Sequence, residues 1–401
     1  MSRAPGERLA PRNPGRAERD YAQKERYRPL TGLRPDPPRP AAEGLRGPAA
    51  LGSEADTPTQ RPMNGWRARL RADPLPWLLD PSAPAVRHLA LRQLVGRSAD
   101  DLEVAAARRA AMAVDPIASI LAAQHPDGYW EKPGPGYATK YRGTVWQVIF
   151  LDQLGADAGD ESVQRACAYV LAHSQAASGG FGASGRVGAD APPPSAVIHC
   201  LNGNLLRALI GFGWLDDARV QRAIEWEARA ITGEGVELLY ASGTCGPGFA
   251  CAANEKLPCA WGAVKALSGL ARIPEDRRSP FVKKAIDVGV AFLLSRDPAV
   301  ANYPMGWGNT RPSGSWFKLG FPSGYVADVL QNLEILCELG YGRDPRVSPA
   351  IEWLLAKQDD QGRWRNEFAY NGKTWVDIER QRELSKWVTL RACRVLRAAA
   401  A

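Results

Sequence analysis

Three segments of the chain repeat one unusual spacing, in which a glutamine is followed by glycine four residues later and by an aromatic residue six residues later. They are QHPDGYW at 124–130, QAASGGF at 175–181 and QDDQGRW at 358–364. The first two begin about 50 residues apart, and self-similarity at such a period is typical of folds built from one repeated supersecondary unit. The chain is therefore expected to fold as a series of similar units that bury their apolar faces against one another.

The residues around each glutamine also repeat, and their pattern predicts two kinds of helix. Segments 154–175, 212–231 and 339–358 each place a glycine where one helix ends and an aspartate before the next helix begins. The helices after these aspartates are one-sided in their apolar residues and are expected on the outside. Helices that are apolar around most of their circumference are expected on the inside, at 143–155, 201–213, 259–271, 328–340 and 386–398.

The Gln-x-x-x-Gly-x-Trp spacing within helix pairs resembles the QW motif of squalene–hopene cyclases and oxidosqualene cyclases, and the related repeats of protein prenyltransferase β subunits. The resemblance covers about residues 75–400. It implies an all-α fold, an α/α toroid of about five to six inner and outer helix pairs around a cavity. It also implies that the glutamine caps a helix terminus and that the aromatic ring stacks beside it, so the motif is structural.

The positive charge of the chain is concentrated at its beginning. The formal net charge is +8, and residues 1–72 account for +7 of it. Residues 1–62 are rich in Pro, Arg, Gly and Ala and are predicted to be a disordered leader, with Met63 as a hypothetical true start. Residues 63–401 are predicted to form one toroid domain. Because this part is nearly neutral, nucleic-acid binding is not expected.

No secretory signal or membrane-spanning run is recognisable in the sequence. A cytoplasmic location is therefore expected, in which the seven cysteines are thiols or metal ligands. Peripheral membrane contact is left open, and the sequence does not determine an oligomeric state.

The catalytic motifs of the similar families are missing. There is no D-x-D-D acid motif, no D-D-x-x-D magnesium motif and no D-x-C zinc motif in the chain. Asp377 and Glu379 form the nearest carboxylate pair at the start of an inner helix, and such a pair is suited to acid–base work.

Polar and aromatic residues cluster where the inner helices begin, and we expect them to line the mouth of the cavity. Arg142, Lys318 and Lys386 are predicted to hold an anionic head such as a diphosphate. Aromatic faces there could stabilise a carbocation. The predicted substrate-binding residues are Tyr141, Arg142, Trp146, Asn202, Trp261, Lys318, Tyr325, Lys386 and Trp387, and the predicted catalytic residues are His199, Cys200, Cys259, Asp328 and Asp377.

The cysteines offer two further interpretations. Cys245, Cys251 and Cys259 lie within 15 residues and could bind zinc, as the Cys/Cys/His set of lanthionine cyclases does. Alternatively, Cys200 or Cys259 could be a nucleophile, activated by His199 or by a helix terminus.

Three functions follow from these predictions. The first is an enzyme acting on an isoprenoid-like or other hydrophobic substrate in a central cavity. The second is a non-catalytic toroid that binds a lipid or a protein partner. The third is a zinc-dependent toroid enzyme that uses the cysteine cluster.

Overall fold

The computed structural model describes residues 65–183, 192–193, 196–234 and 246–400, which all belong to one compact unit. The predicted leader at 1–62 lies outside the described residues, so the division into leader and toroid domain stays a proposal. The described chain is helical, with isolated β-bridges and no strands. Its α-helices are, in chain order, α1 Leu75–Leu78, α2 Pro84–Ala90, α3 Leu102–Met112, α4 Ile117–Ala122, α5 Thr144–Gln153, α6 Glu161–His173, α7 His199–Gly211, α8 Ala218–Thr232, α9 Ala260–Ala271, α10 Pro280–Leu293, α11 Val329–Glu338, α12 Ser348–Ala356 and α13 Lys386–Ala400.

These helices form an α/α toroid. Helices α5, α7, α9, α11 and α13 pack against one another in that order, and α13 also packs against α2, so these six form an inner ring within the described chain. Helices α6, α8, α10 and α12 each pack behind an inner helix, and α3 packs behind α2. The five inner helices predicted from the sequence are confirmed.

Aspartates open the outer helices as the sequence pattern predicts. Asp160 Oδ1 accepts hydrogen bonds from the backbone N–H groups of Ser162 and Val163 at the start of α6, and Asp217 Oδ1 accepts one from Arg219 at the start of α8. These side chains satisfy donors that a helix start leaves without partners.

Two of the three repeated glutamines bind the helix that comes next in the outer layer. Gln124 Nε2 donates to the carbonyl of Ser162 at 2.9 Å, and Gln175 Nε2 donates to the carbonyl of Arg219 at 2.6 Å. These carbonyls lie in or beside the first turns of α6 and α8. The glutamine therefore ties one helix pair to the next, which is the structural role expected for it.

The third glutamine helps to close the ring. Gln358 Oε1 accepts a hydrogen bond from the backbone N–H of Arg71 at 2.8 Å, so the last repeat binds the first described turn of the chain. Nearby, Arg394 Nη1 on α13 donates to Gln93 Oε1 at 3.1 Å. Contacts between residues about 290 to 300 positions apart thus join the beginning and the end of the toroid.

The aromatic residues of the motif are anchored as well as buried. Trp130 and Trp364 are fully buried, and each indole N–H donates to the carbonyl ten residues earlier, at 2.7 and 2.8 Å. Tyr303 uses its hydroxyl in the same way, although no Gln-x-x-x-Gly spacing precedes it. The turn that contains Tyr303 is therefore a fourth, divergent copy of the motif, which the sequence pattern does not reveal.

The motif glycines are required by geometry. Gly128 and Gly179 have φ angles of 99° and 101°, which L side chains rarely adopt. A methyl group on either one would lie 2.8 Å from a carbonyl oxygen of the next outer helix, that of Arg165 or of Arg222.

No helix in the described part of the chain combines the length and apolar character needed to cross a bilayer.

Candidate functional site

The inner ring surrounds a cavity of about 600 Å³ that is open to solvent, which we call the central cavity. All six inner helices contribute to its wall, and α3 contributes from behind α2. The lining residues extend to the carboxyl ends of α5 and α7, at Gln153 and Gly211. This volume lies within the range of sites for small molecules.

The wall of the central cavity has an excess of positive charge. Seven basic side chains face three acidic ones. The acidic residues are Asp152, Glu334 and Glu338. The basic residues are Arg92, Arg108, Arg207, Lys265, Arg272, Arg391 and Arg394.

Two of the acidic residues are already paired. Glu334 Oε2 accepts a hydrogen bond from Arg391 Nε at 2.9 Å, and its other oxygen pairs with Arg394. Burial raises the pKa of Glu334, but the two arginines outweigh this effect and bring the pKa to about 2. Glu338 pairs with Arg207 at 3.0 Å. These pairs leave several cations of the cavity uncompensated.

Three basic side chains of the wall have no carboxylate within ion-pair distance among the described residues. They are Arg92, Lys265 and Arg272. Arg92 donates to the backbone carbonyl of Arg97 at 2.9 Å, and Lys265 donates to Gln331. Arg92 and Arg272 are exposed to solvent, whereas Lys265 is buried. An excess of unpaired cations around an open cavity favours the binding of an anion.

Asp152 is the acidic residue of the wall that lacks a close partner. It lies in the last turn of α5, and its carboxylate accepts no hydrogen bond from any described residue. Gly211 of α7 makes room for it, because a methyl group there would lie 2.5 Å from Asp152 Oδ1 and 3.1 Å from Arg272 Nη2. Burial raises the pKa of Asp152, and the positive charges of Arg272 and Arg207 offset only part of this rise.

His88 of α2 also presents an unsatisfied group. Its side chain is buried in the cavity wall, and its Nδ1 has no hydrogen-bond partner among the described residues. Burial, together with the positive charges of Arg108 and Arg92, lowers the pKa of His88 to about 4. His88 is therefore neutral at physiological pH and can donate or accept one hydrogen bond at Nδ1.

One part of the cavity wall is apolar. Trp387 stacks on Phe321 with ring centroids 4.4 Å apart and planes 6° apart, and Val264, Leu390 and Val395 lie on the same wall. The cavity thus offers both cations and apolar surface. Of the substrate-binding residues predicted from the sequence, Trp387 is the one that lines it.

The predicted aromatic residues pack together where the inner helices begin, a region that we call the amino end. Tyr141 stacks on Tyr370 with centroids 4.0 Å apart, and Trp146 lies 5.2 Å from Tyr141 and 6.5 Å from Tyr325. Trp146 is buried, and its indole N–H donates to the carbonyl of Tyr137. None of these rings lines the central cavity, so their substrate-binding role stays a prediction.

The cations predicted to hold an anionic head lie apart from the central cavity. Arg142 Nε pairs with Glu131 at 2.6 Å, and Lys386 pairs with Asp80 at 3.4 Å. Lys318 borders a separate small cavity of about 20 Å³. The unpaired cations at the central cavity are different residues, which lie within or just after inner helices rather than before them.

His199 and Asn202 form a buried network with Glu227. His199 Nδ1 and Asn202 Nδ2 each lie 2.6 Å from a different oxygen of Glu227, and His199 Nε2 lies 3.2 Å from the carbonyl of Gly246. Burial lowers the pKa of His199, but Glu227 raises it more strongly, so the net shift is upward. The network joins α7 to α8.

Cys251 and Cys259 lie in contact at the amino end, and Cys200 is near Cys251. Cys259 Sγ accepts a hydrogen bond from the N–H of Gly262 at 3.4 Å, as the cap of α9. The hydrogen bond with Cys251 and burial both raise the pKa of Cys259, and burial raises that of Cys200 to about 12. A raised pKa does not favour a thiolate, and the nucleophilic role of Cys200 or Cys259 stays a prediction.

Zinc remains a prediction. Within the described residues, no three His, Cys, Asp or Glu side chains are arranged to hold a metal ion. Cys245, the third member of the predicted ligand set, lies outside the described residues.

The remaining predicted residues have structural contacts. Asp328 caps α11, because its oxygens accept hydrogen bonds from the N–H groups of Gln331 and Gly320 at 2.8 and 3.1 Å. Asp377 is exposed and accepts one from Gly372 at 2.8 Å. Trp261 is partly buried, and its indole N–H has no partner among the described residues. The roles predicted for these three residues in binding or catalysis are not tested by these contacts.

Sequence reasoning missed most of the cavity wall. Asp152, Arg207 and Arg272 lie in or just after the last turns of inner helices, where charged residues are common at any helix end. Lys265 is a lysine within an otherwise apolar inner helix, and this is the sequence signal that points to the cavity wall.

Comparisons with known proteins add little to this description. No protein-family model and no curated protein matches the sequence. An unsaturated glucuronyl hydrolase specific for heparin is 11% identical, with a TM-score of 0.43 over 80% of this chain and 86% of that one. A type II terpene cyclase from Scytonema is 15% identical, with a TM-score of 0.28 over 71% and 95%. A protein from Actinoplanes is 16% identical, with a TM-score of 0.29 over 71% and 97%. Because these TM-scores lie below 0.5, nothing about the activity follows from them.

Proposed function

We propose that the protein is an enzyme that binds an amphiphilic anion in its central cavity and exchanges a proton with it through Asp152. The observation that carries this proposal is the presence of uncompensated cations around a carboxylate that no described residue hydrogen-bonds. Phosphate, diphosphate and carboxylate groups are the anions that guanidinium groups bind best.

The apolar wall narrows the class of ligand. Trp387, Phe321 and Val264 would contact a hydrocarbon part while the arginines hold the anionic head. An isoprenoid diphosphate belongs to this class. An uncharged hydrocarbon substrate fits less well, because it would remove water from charged side chains without replacing the lost hydrogen bonds.

Asp152 is the residue best suited to move a proton. A partly buried carboxyl group with a raised pKa, such as that of Asp152, can hold a proton nearer neutral pH than an exposed one. Such a group can act as a general acid or base on a ligand that the neighbouring Arg272 positions.

The non-catalytic alternative is disfavoured by the same residue. A binding protein gains nothing from a partly buried carboxylate whose charged form is disfavoured by its surroundings, because such a group reduces stability. The zinc-dependent alternative is favoured by one observation, the contact between Cys251 and Cys259. Zinc analysis of gently purified protein, with Cys259→Ser as the comparison, would test it.

The test of the proposal uses native mass spectrometry of the full chain with geranyl diphosphate and with geraniol. We expect a one-to-one complex with the diphosphate and none with the alcohol. The variant Arg272→Ala should weaken the complex about tenfold, since a charge-assisted hydrogen bond is lost. Arg229→Ala removes an exposed cation of α8 and is the control. Equal binding of geraniol and geranyl diphosphate would contradict the proposal.

A further inference from the structure

The proposed function uses Lys265 only as one of the positive charges of the cavity. This lysine lies in the middle of α9 on the inner ring, and its side chain is only 3% exposed. It nevertheless belongs to the wall of the central cavity, beside Val264 and across from Gln331. A lysine in this position is unusual, because the remainder of α9 consists of small and apolar residues with one serine.

The amine of Lys265 has a neutral partner. Its Nζ donates to Gln331 Oε1, and no carboxylate among the described residues lies within ion-pair distance of it. Among the carboxyl groups, Asp328 raises the pKa of this amine most, but its oxygens already accept backbone hydrogen bonds from Gln331 and Gly320. The amide of Gln331 therefore orients the amine of Lys265 but, being neutral, does not stabilise its protonated form as a carboxylate would.

The surroundings favour the uncharged amine. Burial lowers the pKa of Lys265 to about 7, against the opposing influence of Asp328. The charged or titratable groups that act on it from the neighbouring elements are Asp328, Arg391, Cys200 and Glu334. In a large fraction of the molecules the amine of Lys265 is thus uncharged near neutral pH. The uncharged amine is the nucleophilic form.

We propose that Lys265 is an amine nucleophile that forms an imine with the carbonyl carbon of an anionic aldehyde or ketone bound in the central cavity. This inference deepens the proposed function and depends on it, because the cavity cations would hold the anionic group. It narrows the substrate class to anions that carry a reactive carbonyl.

The step balances without an oxidant or a reductant. The lone pair of Nζ forms a bond to the carbonyl carbon, and the carbonyl oxygen takes up a proton, which gives a carbinolamine. The C–O bond then breaks and the oxygen leaves as water. The two hydrogens of that water come from the uncharged amine, and the product is a C=N bond.

The probe for this inference is pyridoxal 5′-phosphate, an aldehyde with a phosphate group, used on the full chain and trapped with borohydride. We expect about one label per chain, located at Lys265 by peptide mapping, because a desolvated lysine reacts ahead of the charged surface lysines. Excess inorganic pyrophosphate should suppress this label by occupying the cations. The yield at Lys265 should rise with pH through the neutral range, as the amine loses its proton.

Two variants of Lys265 and one control complete the test. Lys265→Met and Lys265→Arg should each lose about nine-tenths of the label, and the arginine variant keeps the positive charge if the methionine variant folds poorly. Lys284→Met removes an exposed lysine of α10 and should leave the label unchanged. Circular dichroism and thermal melting report whether each variant is folded.

The outcomes separate the inference from the proposed function. Label spread over exposed lysines, or a Lys265→Arg protein labelled like the wild type, would overturn the imine. If pyrophosphate still binds in that case, the anion site stands without the nucleophile. If pyrophosphate does not bind and Lys265 is not labelled, both fail.

Discussion

The two ends of the inner ring both contain charged and polar side chains, but they use them in different ways. At the amino end, His199 and Asn202 share Glu227, Arg142 pairs with Glu131, and the aromatic rings pack on one another. Toward the carboxyl ends, Asp152 accepts no hydrogen bond from a described residue, and Arg272 has no carboxylate partner there. Satisfied polar groups stabilise a fold, whereas unsatisfied groups in a cavity are available to a ligand.

This difference explains why the polarity of a sequence segment is an incomplete guide to a binding site. The amino end is rich in His, Cys, Tyr and Trp, which suggested chemistry. The structure gives most of these residues partners within the fold. The following predictions test whether the polar network at the amino end is structural and whether the charged residues toward the carboxyl ends are functional.

The largest effect is expected at Glu227 of the amino end. Glu227→Leu should reduce the free energy of unfolding by about 4 kcal/mol, because it leaves His199 and Asn202 buried without their partner. Chemical denaturation measures this loss. Glu225→Leu, on the exposed face of the same helix, is the control and should cost no more than about 0.5 kcal/mol. Similar losses in the two variants would mean that the network does not hold α7 to α8.

A smaller loss is expected from a motif glycine. Gly128→Ala should lower the free energy of unfolding by about 2 kcal/mol, because it combines an unfavourable φ of 99° with a methyl group 2.8 Å from the carbonyl oxygen of Arg165. Gly213→Ala keeps the backbone strain, at φ 90°, but has open space around the methyl group. It should cost about half as much, and denaturation curves of the two variants compare them. Equal losses would show that the close approach to α6 adds no strain.

The inner and outer helices could be predicted because each is marked by a local sequence pattern. The aspartate caps at Asp160 and Asp217, and the glycine at 128, follow from backbone geometry within a few residues. The divergent turn at Tyr303 could not be predicted, since a tyrosine hydroxyl replaces the indole and the glutamine is absent.

The cavity wall could not be predicted for a different reason. Asp152 and Arg394 come from helices about 240 residues apart, and they face one cavity because the ring closes. Ring closure depends on contacts such as Arg71 with Gln358, which no local pattern records. A charged residue near a helix end looks the same in sequence whether it faces solvent or a cavity.

A gain of stability is expected at the carboxyl end. Asp152→Asn should raise the free energy of unfolding at neutral pH by about 1 kcal/mol, because it removes a partly buried carboxylate that no described residue hydrogen-bonds. The folded-state pKa of Asp152 is raised, so the wild type loses stability as the pH rises from the ordinary aspartate range through that pKa. The advantage of the variant should therefore be largest above the raised pKa and should fade in acid.

Denaturation curves at several pH values check this prediction. A variant that is less stable than the wild type at neutral pH would show that Asp152 has a structural partner. Asp377→Asn, in an exposed loop of the amino end, is the comparison.

The central claim is that the ligand site lies in the central cavity rather than at the amino end. It is tested most directly by calorimetric titration of inorganic pyrophosphate into the wild type, Arg272→Ala and Arg142→Ala. The account predicts that Arg272→Ala weakens binding about tenfold, while Arg142→Ala changes it less than about twofold. Loss of binding in Arg142→Ala, with Arg272→Ala like the wild type, would place the site at the amino end and contradict the account.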